Sequence, residues 1–254
     1  MRKLENIENR IIPITFLGIL IFLWYFVVER GIIQRFILPS PVDAVTTLFR
    51  ILPEIKHHLI VTLTEAFYGL IFAIVLAVAL AVLMDNILML KRALYPLLVI
   101  SQTIPILVLA PLFAMWFGLG KFPKIIVVML VCFFPIIVSL LEGFDSVDKD
   151  LINLMKSMGA SKIKIFTMVK FPASIVNFFT GLKVAATYCI MAAFIGEWMG
   201  GKAGLGLYMM RAKKSLRIDK VFAVVLLIVI LSMVLFKIVS ILQRLLMPWN
   251  NEKQ

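Results

Sequence analysis

Long apolar segments alternate with short polar ones along the whole chain, and this alternation predicts a bundle of membrane helices. Each apolar segment is close to the length of about 20 residues that an α-helix needs to cross a bilayer. The segments run over 11–28, 59–84, 93–117, 125–141, 178–199 and 221–242, and the fifth begins at Phe178 or Phe179. We therefore expect an all-α, polytopic membrane protein with about six transmembrane helices.

The longest polar-rich interval between two apolar segments lies at 149–183, and it predicts a helix, a sharp turn and a second helix. Gly159 separates the two helices, because glycine adopts positive φ at a helix C-terminus without a Cβ clash. Ser161 can cap the second helix, and we expect Pro172 to end it. Apolar residues at helical spacing form a face that we expect to contact another protein. They are Leu151, Leu154, Met155, Met158, Ile163, Phe166 and Val169 or Lys170.

The composition agrees with a membrane protein, since 62% of the residues are hydrophobic and the mean hydropathy is +1.05. Soluble domains are usually about half apolar. We expect one transmembrane domain over 11–245, with a loop at 142–177, an N-terminal segment at 1–10 and a tail at 246–254. The first apolar segment is interpreted as a span, because it is long for a signal peptide, contains Pro13 and lacks a small-residue cleavage site.

Two features lie around the start of the second span. Ser40 as a cap and Pro41 as the first helical residue predict a short helix that ends near Leu52 and lies on the membrane surface. Glu65 falls about two turns inside the span. An ionisable group at that depth can be functional. The alternative is a carboxylate near the interface that is solvated or paired.

Polar residues within spans three and five are candidates for a solute path. The third span contains three prolines, whose freed backbone carbonyls must face other helices or water. On the fifth, Lys183, Thr187, Ile190, Phe194 and Glu197 share one helical stripe. The alternative is ordinary hydrogen bonding between helices. The predicted path residues are Gln102, Thr103, Lys183, Thr187, Glu197 and Trp198.

The chain carries no residue set typical of an enzyme, and no catalytic residue, metal site or cofactor is predicted. The segment 196–203 nearly matches a nucleotide-binding P-loop, but Ala203 replaces the Ser or Thr that reaches Mg²⁺, and no strand precedes it. Cys132 and Cys189 lie in apolar segments and are interpreted as core residues. The net charge of +12 is spread between apolar spans, which favours contact with the lipid bilayer and argues against nucleic acid.

The 149–172 element resembles the signature loop of membrane subunits in binding-protein-dependent ABC importers. That loop has the form E-A-A, three residues, Gly, nine residues, I-x-L-P. Here nine residues separate Gly159 from Val169-Lys170-Phe171-Pro172, and Asn153-Leu154-Met155 stands where E-A-A is usual. The resemblance covers residues 35–245. It implies contact with an ATPase through Asn153, Leu154, Met155, Met158, Gly159, Ala160, Val169, Phe171 and Pro172.

The resemblance implies a type I ABC importer permease fold, an ATP-binding cassette ATPase dimer, an extracytoplasmic solute-binding protein and a homodimer of this chain. It also implies a plasma or inner membrane location with both termini cytoplasmic. The charge of the loops and terminal segments does not indicate the orientation, because those on each side of the membrane contain twelve lysine and arginine residues. The alternatives are a heterodimer, and a secondary transporter, channel or noncatalytic scaffold.

The segments ILPSP at 37–41 and TIPILVLAPLFAMWFGLGK at 103–121 resemble the nitrate, sulfonate and taurine branch of that family. The segment EWMGGKAGLG at 197–206 looks more like members that handle thiamine-pyrimidine precursors. An aromatic ring beside a carboxylate, Trp198 beside Glu197, suits a neutral or weakly basic heteroaromatic ring. A pyrimidine-like heterocycle and a nitrate-, sulfonate- or taurine-like anion therefore both stay open as substrates.

Overall fold

A computed structural model describes residues 2–198 and 201–248 of the chain, with the backbone alone at 2–10. Met199 and Gly200, where the fifth span was expected to end, lie outside the described residues, as does the tail from residue 249. The described part is helical and contains no strand. Its helices are α1 (Arg2–Glu29), α2 (Pro41–Asn86), α3 (Leu88–Ser101), α4 (Ile106–Phe117), α5 (Phe122–Asp145), α6 (Lys149–Ser157), α7 (Lys162–Ile165), α8 (Phe171–Trp198), α9 (Leu205–Lys214) and α10 (Ile218–Leu246).

Five helical stretches of the described chain are long and apolar enough to cross a membrane: α1 from Ile11, α2, α5, the stretch Lys162–Trp198 and α10. Helices α3 and α4 meet the same test only as a pair, which is bent by 101° at the break between them and gives a sixth span when the two are counted as one. The expectation of an all-α chain with about six transmembrane helices is confirmed.

The short surface helix expected after Pro41 is instead the first part of α2, which continues for 46 residues to Asn86. Its predicted start is correct. Asp43 N donates to Ser40 Oγ at 3.1 Å, and Ser40 N donates to the Asp43 carboxylate at 3.1 Å, which is a reciprocal cap. The expected break near Leu52 is wrong. Pro53 lies on an exposed face of α2, and Phe49, whose backbone carbonyl loses its hydrogen bond to this position, is exposed as well.

The third span was expected as one helix over 93–117, and the structure divides it between Ser101 and Ile106. Pro105 has no N–H to donate and disfavours helical geometry in the residue before it. Two hydroxyls satisfy carbonyls at the end of α3: Ser101 Oγ donates to Leu98 O at 2.8 Å, and Thr103 Oγ1 donates to Ile100 O at 2.7 Å. The break therefore follows from proline chemistry.

The chain divides into two compact units, of which the first joins Met1–Lys56 and Tyr208–Val229. Within it, Trp24 Nε1 donates to Pro39 O at 3.1 Å, and the Trp24 and Phe222 rings lie 6.0 Å apart. Lys220 Nζ lies 2.9 Å from a carboxylate oxygen of Glu54. These contacts hold the start of α2 and the start of α10 together inside this unit.

The second unit joins His57–Leu207 and Ile230–Gln254, and its core lies where α5 packs against α8. Glycine lets these helices approach closely, since a Cβ added at Gly181 of α8 would overlap the backbone of Pro135 in α5, and such contacts are typical between membrane helices. Cys132 and Cys189 are buried free thiols, which confirms their interpretation as core residues. Each thiol donates to a backbone carbonyl, Cys132 to Ala185 and Cys189 to Ala66. The fully buried small residues on α2 and α8 include Ala73, Ala77, Ala81, Ala185 and Ala193.

Candidate functional site

The predicted helix, turn and second helix at 149–172 are present. Asp148 caps α6 by accepting a hydrogen bond from Asp150 N at 2.8 Å. Gly159 has φ of +77°, the left-handed conformation expected for it. Ala160 N donates to Met155 O at 3.0 Å and Gly159 N to Lys156 O at 2.9 Å, which together form a Schellman motif. Ser161 caps the next helix by accepting from Lys164 N at 3.3 Å.

The expectation that Pro172 ends the second helix is wrong. Helix α7 passes through one π-helical turn, Phe166–Lys170, and continues directly into α8. Pro172 is the second residue of α8, and its ring cannot fit against a regular preceding turn. The wider π turn supplies the extra space, and such turns are frequent at functional sites. The 149–172 element is thereby joined to span five without a flexible link.

The two faces of α6 differ in character. Leu151, Leu154 and Met158 are 43%, 57% and 74% exposed, and they form an apolar ridge on one side of the helix. Lys149, Asn153 and Lys156 share the other face and line a cavity with the start of α7. The ridge is therefore open for contact with another molecule, while the second face is turned toward the rest of the second unit.

One ion pair connects this element to another helix of the second unit, and a second ion pair involves a residue just before the element in sequence. Lys170 Nζ lies 2.6 Å from Asp85 Oδ1, at the end of α2. Lys91 Nζ lies 2.5 Å from Asp145 Oδ1, which joins the start of α3 to the end of α5. The Phe144 and Phe166 rings pack 5.4 Å apart between α5 and the π turn. Motion of the element would therefore be passed to several spans.

The break between α3 and α4 opens a second cavity, here called the break cavity, of about 620 Å³. Gln102 and Thr103 line it, as do Tyr188 from α8 and Ser139 from α5. None of its lining residues is Lys, Arg, Asp or Glu. The cavity thus combines hydroxyl, amide and aromatic groups without a formal charge.

Two glutamates and a lysine are buried together elsewhere in the second unit. Glu65 and Glu197 are fully buried, and Lys124 is 5% exposed. Lys124 Nζ lies 3.3 Å from Glu65 Oε1, so Glu65 is paired within the protein. A buried carboxylate is tolerated only when it is paired or hydrogen-bonded. We call Glu65, Lys124, Glu197 and Thr62 the buried glutamate cluster.

Glu197 uses both carboxylate oxygens inside this cluster. Oε1 accepts from Thr62 Oγ1 and Oε2 accepts from Gly206 N, each at 2.6 Å. Thr62 Oγ1 also accepts from Leu205 N at 2.9 Å. A Cβ added at Gly204 would overlap the Glu197 carboxyl group, so the backbone can approach it only without a side chain there. The cluster thus fixes the glycine-rich segment beside α2 and α8.

Comparison of the sequence with known proteins identifies the family to which the chain belongs. Residues 69–251 match the model of the family described as binding-protein-dependent transport system inner membrane component. The chain is 34% identical to the formylaminopyrimidine transport permease protein ThiX of Halalkalibacterium halodurans, over 95% of this chain and 96% of that protein. The chain belongs to this family. It is a multi-pass permease subunit of an ABC importer.

Two further proteins extend the comparison. The permease is 28% identical to the taurine transport system permease protein TauC of Escherichia coli, over 94% of this chain and 89% of that protein. Its fold is similar to that of a chain in the inward-facing MetNI methionine ABC transporter, with a TM-score of 0.67 and 18% identity over 77% of this chain and 97% of that one. The predicted family and the importer permease fold are confirmed.

The predicted path residues separate into two groups. Gln102 and Thr103 line the break cavity, whereas Lys183, Thr187, Glu197 and Trp198 do not. Thr187 is exposed, Lys183 and Trp198 are partly exposed, and Glu197 is buried in the cluster described above. A role for these four in transport remains a prediction. Sequence reasoning missed Tyr188 and Ser139, because their shared surface depends on where the third span breaks.

Among the residues predicted to contact an ATPase, Leu154, Met158 and Phe171 are exposed apolar side chains. Gly159 and Ala160 form the turn, and Met155 and Val169 are partly exposed. Their contact with an ATPase remains a prediction. Lys170 and Asp85 were not singled out from the sequence, since they are 85 residues apart and nothing local marks them as partners.

Proposed function

We propose that this permease carries a small solute into the cell, with energy from a dimer of ATP-binding cassette ATPases and with solute supplied by an extracytoplasmic binding protein. The observation that carries the proposal is the exposed apolar ridge of α6. This ridge lies on the 149–172 element, which contacts α2 and α5 and continues into α8. Leu154 and Met158 offer apolar area to an ATPase groove, and Lys170 ties the element to α2. ATP-driven closure of the two ATPases would then move the spans and change access to the path.

The break cavity is our candidate for part of the path. Broken membrane helices expose backbone groups that can be satisfied only by protein, water or solute. Gln102 and Thr103 lie at the break, and Tyr188 faces the same cavity from α8. These groups can make weak contacts with a passing solute, and weak contacts permit release.

We assign the solute to neutral or weakly basic small heterocycles, of which a pyrimidine is the simplest example. The cavity has a tyrosine ring for stacking and amide and hydroxyl groups for hydrogen bonds, and its lining has no cationic side chain for a sulfonate or nitrate. The similarity to the formylaminopyrimidine permease supports the same class. The similarity to the taurine permease supports the competing anion class.

The substrate test compares the two classes directly. Cells that carry the whole transport operon are given labelled aminopyrimidine or labelled taurine, with a strain lacking this chain as the control. We expect uptake of aminopyrimidine that depends on this chain. Uptake of taurine without aminopyrimidine would overturn the heterocycle assignment and leave the importer assignment intact.

The assembly proposed is a homodimer of this chain with two ATPases and one binding protein. One chain supplies one docking element, whereas ATP-binding cassette ATPases work in pairs. Native mass spectrometry of the intact complex, purified in mild detergent, should give two copies of this chain. One copy beside a related membrane subunit would indicate the heterodimer.

The proposed orientation places the N-terminal segment 1–10, the loop 142–177 and the tail 246–254 in the cytoplasm, around one transmembrane domain at 11–245. The basic N-terminus supports it, as does the need of the loop to meet a cytoplasmic ATPase. Labelling of a cysteine introduced at Ser157 by an impermeant reagent in intact cells tests it. We expect the cysteine to be protected from the reagent, and labelling would show that the orientation is the opposite one.

Dependence on a separate ATPase is tested with the chain alone. The purified permease in liposomes should hydrolyse no ATP and should move no solute when ATP is supplied without the partner. Steady transport by the chain alone would instead indicate a secondary transporter or channel. Deletion of the chain tests whether it is a noncatalytic scaffold. If it is a scaffold, a reconstituted system should transport solute without it, and if it forms the path, transport should be lost.

A further inference from the structure

A cavity of about 430 Å³ lies behind α6, and its lining is strongly basic. Lys149 and Lys156 reach it from α6, Lys162 from α7, and Lys170 from the π turn. Asp85 is the one acidic residue among its lining residues. Lysines thus converge on this space from both sides of the turn at Gly159, and we call it the basic cavity.

One of the four lysine charges is satisfied within the chain and three are not. Lys170 Nζ lies 2.6 Å from Asp85 Oδ1. The other three, Lys149, Lys156 and Lys162, form no ion pair with any residue that the structure describes. Like charges held around one space repel each other, and an anion placed among them would remove that cost. The charge pattern therefore favours a bound anion.

The remaining lining groups indicate what kind of anion fits. Asn86 and Asn153 offer amide donors, and Ile152 and Phe166 add apolar walls. Lysine ammonium groups are common ligands of phosphate. The volume is within the range of about 300–1,000 Å³ that is usual for small-molecule sites, so the space exceeds what a halide would need. We propose that the basic cavity binds a phosphate-bearing anion, either a phospholipid headgroup or a free phosphate compound.

This site is separate from the apolar ridge. The ridge residues Leu154 and Met158 are exposed on one face of α6, and Lys149 and Lys156 lie on the other. A docked partner and a bound anion can therefore be present together. The bound anion would connect α6, α7 and the end of α2, and so stiffen the 149–172 element. Because binding is measured on the chain alone, the result does not depend on the proposed importer function.

The test uses the full chain in phosphatidylcholine nanodiscs and measures its melting temperature. One arm titrates inorganic phosphate, and the other replaces graded fractions of the lipid by phosphatidylglycerol. The cavity variant is Lys156→Ala with Lys162→Ala. The control variant is Lys164→Ala with Lys214→Ala, which removes the same charge from exposed positions outside the cavity. All four substituted lysines are exposed, so both variants should fold, and without ligand the cavity variant should melt no lower than the control variant.

We expect saturable stabilisation of the unmodified chain and the control variant, with binding about tenfold weaker or worse in the cavity variant, as the loss of charged hydrogen bonds predicts. Stabilisation by inorganic phosphate would identify a free anion as the ligand. Stabilisation confined to phosphatidylglycerol would identify a lipid headgroup. The proposal is overturned if neither probe gives saturable stabilisation, or if the cavity variant and the control variant respond equally.

Discussion

Lys170 and Asp85 form an ion pair of 2.6 Å that connects the π turn of the 149–172 element to the last turn of α2. Their side chains are 21% and 8% exposed, so the pair is shielded from water on most sides. A partly buried pair stabilises a protein more than an exposed ion pair does, and its desolvation cost is smaller than that of a fully buried pair. It is the most direct link in the second unit between the element and a span far from it in sequence.

The first prediction concerns this link. Lys170→Ala leaves the Asp85 carboxylate without its partner and should destabilise the chain by about 1–2 kcal/mol, between the values for exposed and buried pairs. In the assembled importer we expect uptake to fall several-fold while ATP hydrolysis continues. Uptake and hydrolysis are measured on the same proteoliposomes.

Two variants act as controls for that experiment. Lys91→Ala breaks a pair whose partner Asp145 is 60% exposed, so its effect on stability should be smaller, below about 1 kcal/mol. The exchange Lys170→Asp with Asp85→Lys should restore part of the coupling. Equal loss of uptake and hydrolysis in Lys170→Ala would show that the pair supports assembly and does not transmit motion.

The second prediction concerns the turn at Gly159. A Cβ at this position would meet no atom within 4 Å, so any cost of substitution comes from φ of +77° and not from a clash. Gly159→Val should therefore cost about 1–2 kcal/mol and uncouple hydrolysis from uptake. Gly159→Asn is the matched control, because asparagine tolerates the left-handed conformation. Normal uptake by the valine variant would show that the geometry of this turn is not needed for coupling.

The third prediction concerns the buried glutamate cluster. Lys124→Met removes the cation that pairs with the buried Glu65 and should destabilise the chain by about 3–5 kcal/mol. Adding Glu65→Gln removes the carboxylate that is left without Lys124 and should recover part of that loss. The melting temperatures of the two single variants and the double variant, in one detergent, give the coupling between the residues. Additive losses would mean that Lys124 and Glu65 do not stabilise each other.

How much of this fold could be predicted from the sequence depended on the range of the interactions. The cap at Ser40, the turn at Gly159 and the cap at Ser161 are local, and each appears where the sequence placed it. Helix ends near proline were predicted wrongly. A helix end was expected near Leu52 and another at Pro172, but α2 continues through the exposed Pro53 and a π turn before Pro172 lets the second helix continue.

The candidate sites depended on long-range packing and were predicted only in part. The stripe on span five joined Thr187 and Glu197 by helical spacing alone, whereas the structure exposes Thr187 and encloses Glu197 beside Thr62. Spacing gives the face of one helix but not the helix that will cover it. The break cavity likewise required the 101° bend between α3 and α4, and no local pattern gave that angle.

The last prediction separates the break cavity from the other predicted path residues. Gln102→Ala removes an amide from the cavity, and the loss of one hydrogen bond to a passing solute is about 1 kcal/mol, or about fivefold in uptake efficiency. Tyr188→Ala should lose at least as much, and Tyr188→Phe should retain most uptake if stacking is the main contact.

Thr180→Ala is the matched control on the same helix as Tyr188. Its hydroxyl donates to Val176 O at 3.0 Å, the residue is exposed, and it does not line the cavity.

Uptake of labelled aminopyrimidine is measured at several solute concentrations, and the amount of assembled complex is matched between variants by native gel. Thr187→Ala tests the stripe on span five in the same assay. A path through the break cavity requires losses at Gln102 and Tyr188 that exceed the loss at Thr187, because only the first two side chains contact the solute. The reverse order would place the path along the stripe and remove the break cavity from it.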